Sequence, residues 1–198
     1  MRWPKRAIVR ALVLVPMILG VVAEALYPQE FRLGAPISDF TVRDMNGSSL
    51  RYSMLQKNVT VVIFFSTRCP ISNAFNYRRN ALYNDFVKRV TFVIVDSNSN
   101  ESIEEVREYA RAVEFDSPVY KDVDNVVADQ FGANVTTDTF VLDSSGVMRY
   151  HGYLEDSPNP TRAKKPGLRL AIEALLADRP VAMPEAHALG CAIRRVQR

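Results

Sequence analysis

The chain has only two cysteines, Cys69 and Cys191, and only two histidines, His151 and His187. Two cysteines allow a single intramolecular pairing. His187 precedes Cys191 by four residues, a spacing that would put both on one helical face, but two ligands do not make a metal site and a histidine beside prolines is ordinarily solvated. No metal site and no cofactor are expected. His151 reads as a strand-surface residue rather than a catalytic base. The chain also lacks a comfortable membrane span, because its apolar run Ala11 to Ala23 falls short of the ~20 residues that crossing a bilayer takes. It lacks an internal repeat. Its net charge of +3 owes much to Arg2, Lys5, Arg6 and Arg10 at one end and Arg194, Arg195 and Arg198 at the other. No nucleic-acid partner follows from that balance.

What is present suits one domain with extensions: 198 residues, 47% of them hydrophobic and 24% charged, are enough to bury a real core. Basic Met1 to Arg10 followed by Ala11 to Ala23 has the form of an export signal, and Ala23-Glu24-Ala25 supplies a small-x-small cleavage pattern. Processing after Ala25 is expected. The alternative is an uncleaved anchor extended through Leu26 and Tyr27. Either places the domain outside the cytoplasm, in a periplasmic or extracellular setting where a Cys69–Cys191 disulfide is permitted. Sequons at Asn46, Asn58, Asn100 and Asn134 matter only in a glycosylating pathway. The organisation expected is a signal or anchor over 1–25, a linker over 26–33, a domain over 34–178, and a tail over 179–198 that carries Cys191.

The chain is organised around 58–90. Val59 to Phe65 is an unbroken β-branched and aromatic run, which suits a strand covered on both faces. Ser66-Thr67-Arg68-Cys69-Pro70 then turns into a helix expected over Ile71 to Arg89, with Phe75, Leu82, Phe86 and Val90 at helical spacing. Proline favours the first helical position, so Pro70 puts Cys69 at the N-cap. There the first-turn N–H groups and the helix dipole favour a thiolate, Arg68 adds a cation, and Ser72 is placed to offer its hydroxyl to the sulfur. The plainer alternative is a small buried apolar cysteine at a strand end.

Around this unit, Phe40-Thr41-Val42 and Leu50-Arg51-Tyr52 flank the turn-forming Asp44-Met45-Asn46-Gly47, predicting a hairpin. Thr91 to Asp96 reads as a second strand, joined to the first by a parallel crossover. Ser102 and Glu105 form a capping box opening a helix to about Val113. Val119-Tyr120 is a short strand, and Val123 to Phe131 a helix closed by Gly132. Thr139 to Asp143 and Val147 to Tyr150 make a hairpin. Leu168 to Leu176 is the last helix, with Leu170, Ile172, Leu175 and Leu176 toward the core, and Pro180 and Pro184 keep the tail extended. The pairs Glu104-Glu105 and Arg78-Arg79 read as solvated helix faces. The order is α/β with an antiparallel edge.

Gly34-Ala35-Pro36 with Asp39-Phe40-Thr41-Val42 and Asn46-Gly47, then Phe64-Phe65-Ser66-Thr67-Arg68-Cys69-Pro70, then Thr139 to Asp143, resemble the redoxin branch of the thioredoxin superfamily, the alkyl hydroperoxide reductase/thiol-specific antioxidant family. Gly190-Cys191-Ala192-Ile193-Arg194 looks like the ending of an exported bacterial subgroup. The resemblance implies a thioredoxin-like α/β fold: a central mixed β-sheet flanked by helices, with an N-terminal hairpin and an extended C-terminal tail. It also implies thiol chemistry in cell redox homeostasis, with Cys69, Cys191, Ser72, Arg68 and Pro70 as site residues. This chain departs from the pattern at three positions. Ser72 stands where thioredoxins have their second cysteine, Val62 where peroxiredoxins have proline, and Thr137 where the superfamily has its cis-proline beside the sulfur. Arg78 is where related redoxins tend to carry arginine.

Cys191 is the obvious replacement for the missing local thiol, since residues 178–191 could span up to ~45 Å if extended. As a structural bond it would close a long loop worth on the order of 4 kcal/mol, so redox partner and staple both remain open. Three functions follow as expectations. The first is a thiol-disulfide oxidoreductase with Cys69 as nucleophile on protein thiols or disulfides, recharged by an external reductant. The second is a peroxide reductase in which Cys191 resolves a Cys69 sulfenic acid. The third is a non-catalytic binding module or a metal carrier through Cys69, Cys191 and His187. A membrane enters only through an uncleaved N-terminal segment.

Overall fold

The structure, a computed structural model, describes residues 32–56 and 58–197. The expected signal or anchor and nearly all of the linker lie outside the described residues. Among those described, no helix is long and apolar enough to cross a membrane.

Strands β1 (Thr41–Asp44) and β2 (Ser49–Arg51) form the expected hairpin, with Asp44 Oδ1 accepting from the N–H groups of Asn46 and Ser48 across the turn. A single turn, α1 (Tyr52–Leu55), leads to β3 (Val59–Phe65), every residue of which is buried. After α2 (Pro70–Asn73) and α3 (Asn76–Phe86), β4 (Val90–Asp96) runs parallel to β3 with Val61 opposite Phe92 and Phe65 opposite Asp96. Then come α4 (Ile103–Ala112), β5 (Val119–Lys121), a 3₁₀ turn over Val123–Asn125, α5 (Val126–Phe131), β6 (Thr139–Leu142), β7 (Met148–Gly152) and α6 (Gly167–Leu176). The mixed seven-stranded sheet has the order β2-β1-β5-β4-β3-β6-β7. Because side chains alternate along a strand, Val61, Ile63 and Phe65 pack with Leu82, Phe86 and Ile172 on one face. Val62 and Phe64 pack with Phe131 and Phe140 on the other. This is the thioredoxin-like α/β fold, with helices on both faces of a mixed sheet.

Several local expectations need correction. The helix after Cys69 is two pieces, because Phe75 N–H bonds to the Ser72 carbonyl three residues back at 3.1 Å and closes a tight turn there. Ser72 and Asn73 are residues whose side chains compete with helical bonding, and Asn73 donates to the Thr67 carbonyl at 2.9 Å. Helix α3 stops at Phe86 rather than Arg89, and Val90, which shares the helical spacing, opens β4. In 123–131 the chain kinks where Asp124 and Asn125 take left-handed backbone conformations. Leu170 is 53% exposed; the buried stripe of α6 is Leu168, Ala171 and Ile172.

Glu104 is exposed as expected, but the arginine pair is not a solvated face. Arg79 is 2% exposed, its guanidinium lying over the rings of Phe65 and Phe115, and burial pushes it down to about 10. Arg78 pairs with Glu155 and donates to the Ser157 and Pro158 carbonyls, tying the loop after β7 to α3. His151 is half-buried, stacked on Phe140 at 4.5 Å with Nε2 3.3 Å from Asp138 Oδ1, so it is more than a strand-surface residue. His187 is exposed, and among the described residues no group of three or more His, Cys, Asp or Glu is placed to hold a metal ion.

Candidate active site

The loops after β3 and β4 leave the same end of the sheet, the end where open α/β sheets gather their sites. Pro70 has no N–H and takes the first position of α2, so the residue before it stays extended. Cys69 has φ −88° and ψ 114° and caps the turn, its sulfur accepting from the Ser72 N–H at 3.5 Å. It is 2% exposed. The Ser72 hydroxyl does not face the sulfur as expected. It is fully buried and accepts from the Ser66 N–H at 3.3 Å, holding the turn closed from inside.

Arg68 also departs from expectation. Its guanidinium grips both oxygens of Glu105 at 2.7 Å each, and its charge is spent there rather than on the sulfur. That hydrogen bond holds the Glu105 carboxyl below the ordinary carboxylate range. Only half of the expected capping box forms as a result. The Ser102 hydroxyl accepts from Glu105 N–H at 3.1 Å, while the Glu105 carboxylate turns to Arg68 and Thr67.

Cys69 is joined to Cys191, with Cα atoms 5.9 Å apart and a sequence separation of 122. The tail reaches it by pairing along exposed backbone. Ala186 N–H donates to the His151 carbonyl at 2.9 Å at the sheet edge. Residues 189–193 then lie antiparallel to 134–137. Thr136 N–H donates to the Cys191 carbonyl at 2.8 Å, Ile193 N–H to the Asn134 carbonyl at 2.9 Å, and the Thr137 hydroxyl to the Leu189 carbonyl at 2.8 Å. The Cys191 N–H lies 3.3 Å from the Cys69 sulfur and 3.2 Å from the Thr136 hydroxyl. Thr137, at the cis-proline position of the resemblance, has a trans peptide and φ +123°, a region that a β-branched residue rarely enters. Farther on, Asn98 Oδ1 accepts from Arg194 N–H at 3.0 Å and Asn125 Oδ1 from Val196 N–H at 2.7 Å.

A family model described as AhpC/TSA matches residues 33–151, more than half of the chain and all of the sheet but its last residue, Gly152. The chain belongs to the AhpC/TSA family. It is by class a thiol oxidoreductase of the redoxin type. Among solved structures it is similar to a hypothetical protein from Sinorhizobium meliloti, with 26% identity, TM-score 0.77, and coverage of 85% of this chain and 97% of that one. Two further neighbours share the fold. A peroxidoxin from Mycobacterium tuberculosis has 22% identity, TM-score 0.60, and coverage of 75% of this chain and 99% of that one. A secreted disulfide oxidoreductase from the same organism has 19% identity, TM-score 0.55, and coverage of 69% and 96%. No curated protein matches the chain.

In this AhpC/TSA chain the sequence concealed two buried acids. Glu101, 3% exposed, accepts from the Ser66 hydroxyl, from the Thr67 hydroxyl at 2.6 Å and from the Thr67 N–H at 2.7 Å, so it binds the loop that carries Cys69 to the loop after β4. Asp96 ends β4, contacts Lys121, and accepts from Asn98 Nδ2 at 3.1 Å. Burial pushes Asp96 up to about 7, against the pull of Lys121. The readable signal for both was position, a polar residue at or just beyond the C-terminal end of a central parallel strand.

Proposed function

We propose that the protein is an exported thiol-disulfide oxidoreductase in which Cys69 is the nucleophile and Cys191, on the tail of residues 179–198, is its redox partner. The observation that carries this is the Cys69–Cys191 bond between a buried helix-capping sulfur and a tail cysteine held chiefly by main-chain hydrogen bonds. Cys69 is 2% exposed whereas Cys191 is half-buried. A reductant thiolate therefore meets the Cys191 sulfur first. The new bond forms to Cys191, the Cys69–Cys191 bond breaks, and Cys69 leaves as a thiolate beside the Ser72 N–H. Thiols stabilised as thiolates leave faster. A second reductant thiol then frees Cys191. The reduced protein attacks a substrate disulfide through Cys69, and Cys191 resolves the mixed disulfide.

The peroxide reading has less support. The Ser66 hydroxyl, at the position of the threonine in the peroxiredoxin pattern Pro-x-x-x-Thr-x-x-Cys, donates to Glu101 and accepts from Arg68 N–H at 3.1 Å. Export rests on the basic-then-apolar segment of residues 1–23 and on the fit of a disulfide to an oxidising compartment. The test of the chemistry is kinetic. Reduced protein should form a mixed disulfide at Cys69 with a protein disulfide far faster than it is oxidised by stoichiometric hydrogen peroxide, with mass spectrometry locating the modified cysteine. The reverse order of rates would favour the peroxidase.

A further inference from the structure

We infer that the main-chain strip at 134–137 selects protein substrates carrying an extended Gly-Cys-x-aliphatic segment, and that residues 190–193 are the chain's own copy of that signature. The inference rests on the reading of Cys69 as nucleophile. Most bonds that seat the tail are to backbone, which any extended peptide supplies: the Cys191 N–H and carbonyl with Thr136, and Ile193 N–H with the Asn134 carbonyl. Asn98 and Asn125 likewise accept main-chain N–H groups at 194 and 196. Those contacts fix direction and register without reading side chains.

Two positions do read side chains. At Gly190 a Cβ would overlap the carbonyl oxygen of Thr136 and come within 3.1 Å of the Thr137 hydroxyl. Thr136 is fully buried, and the obstructing atom belongs to its backbone rather than to the end of a flexible side chain, so a Cβ gains room only if the strip shifts or the tail lifts away. Only glycine fits immediately before the cysteine. Two residues after it, Ile193 is 6% exposed and joins the apolar cluster of Phe64, Val95, Phe131 and Ala133. Ala192 between them is exposed and sets no demand. In the reaction, the Cys69 thiolate attacks the substrate cysteine's sulfur, the substrate S–S bond breaks, and its other sulfur leaves as thiolate. Re-entry of the tail brings Cys191 to the Cys69 sulfur, and the substrate cysteine leaves in turn. Two electrons pass to the substrate and the Cys69–Cys191 bond is restored.

The test uses the full chain with Cys191→Ser and synthetic peptides Ala-Leu-Gly-Cys-Ala-Ile-Arg-Arg whose cysteine carries thionitrobenzoate. Release of that chromophore reports attack by Cys69. The retained tail competes equally with every peptide, so rate ratios survive. The parent peptide should react at least tenfold faster than the peptide with alanine for glycine and than the peptide with alanine for isoleucine. Equal rates for the three overturn the inference while leaving the nucleophile intact. A Cys69 that fails to react even with the small disulfide dithionitrobenzoate overturns the nucleophile reading and the inference together.

Discussion

Gly190 rests against the carbonyl oxygen of Thr136 with no room for a Cβ between them. One glycine thus decides whether the tail can lie flat enough to bring Cys191 to Cys69. Gly190→Ala should lift the tail at a cost of ~1–3 kcal/mol. The cost falls on the oxidised form, so the reduction potential should rise by roughly 20–60 mV. Titration of the variant against a dithiol buffer checks this, and an unchanged potential would mean the strip yields.

Glu101→Gln keeps the shape but gives up the charge that accepts from Ser66 and Thr67. Losing charge-assisted bonds and facing donors with an amide should cost about 2 kcal/mol, or roughly 4–8 °C in Tm. Calorimetry of the oxidised protein is the measurement.

Asp96 gives a signed pH dependence. Its carboxyl titrates near 7 in the folded protein and near 3.8 when exposed, because burial opposes its charge. Between those values the folded state holds a proton that the unfolded state has lost, so this group makes stability fall as pH rises from about 4 to 7 and level off above. Lys121, Glu101 and Asn98 face it. Asp96→Asn should flatten the slope of urea-unfolding free energy between pH 5 and 7, whatever it does to the absolute level. A slope equal to the parent's would contradict the assignment.

Arg68 sits next to Cys69 in sequence but spends its charge on Glu105. Arg68→Ala should cost less than about 1 kcal/mol, as exposed pairs do, and leave the pH midpoint of Cys69 alkylation in reduced protein unchanged. A clear upward shift of that midpoint would restore Arg68 as the activating cation.

The sequence disclosed what depends on neighbours in the chain. The apolar run Val59–Phe65, the capping positions of Cys69 and Ser102, and the Asn46-Gly47 turn all follow from local chemistry. What depended on distant partners stayed hidden. Arg78 and Arg79 are adjacent and chemically alike, yet about 100° apart around α3. That rotation sends one to Glu155 and the other over the ring of Phe115. Glu101 is 35 residues from Ser66, so its loop bonds carry no sequence period. The tail's route is fixed by open backbone at 134–137, and backbone bonding leaves no trace in residue type except at Gly190.

In the proposed function, Cys69–Cys191 is a working redox couple rather than a staple. The most direct measurement is an equilibrium titration of the full chain in glutathione or dithiothreitol buffers, with the bond followed by alkylation and mass. A couple that serves exchange should reduce at a potential above about −300 mV, through a trapped reductant adduct on Cys191. A bond that stays closed until well below −300 mV would mark a permanent staple and contradict the account.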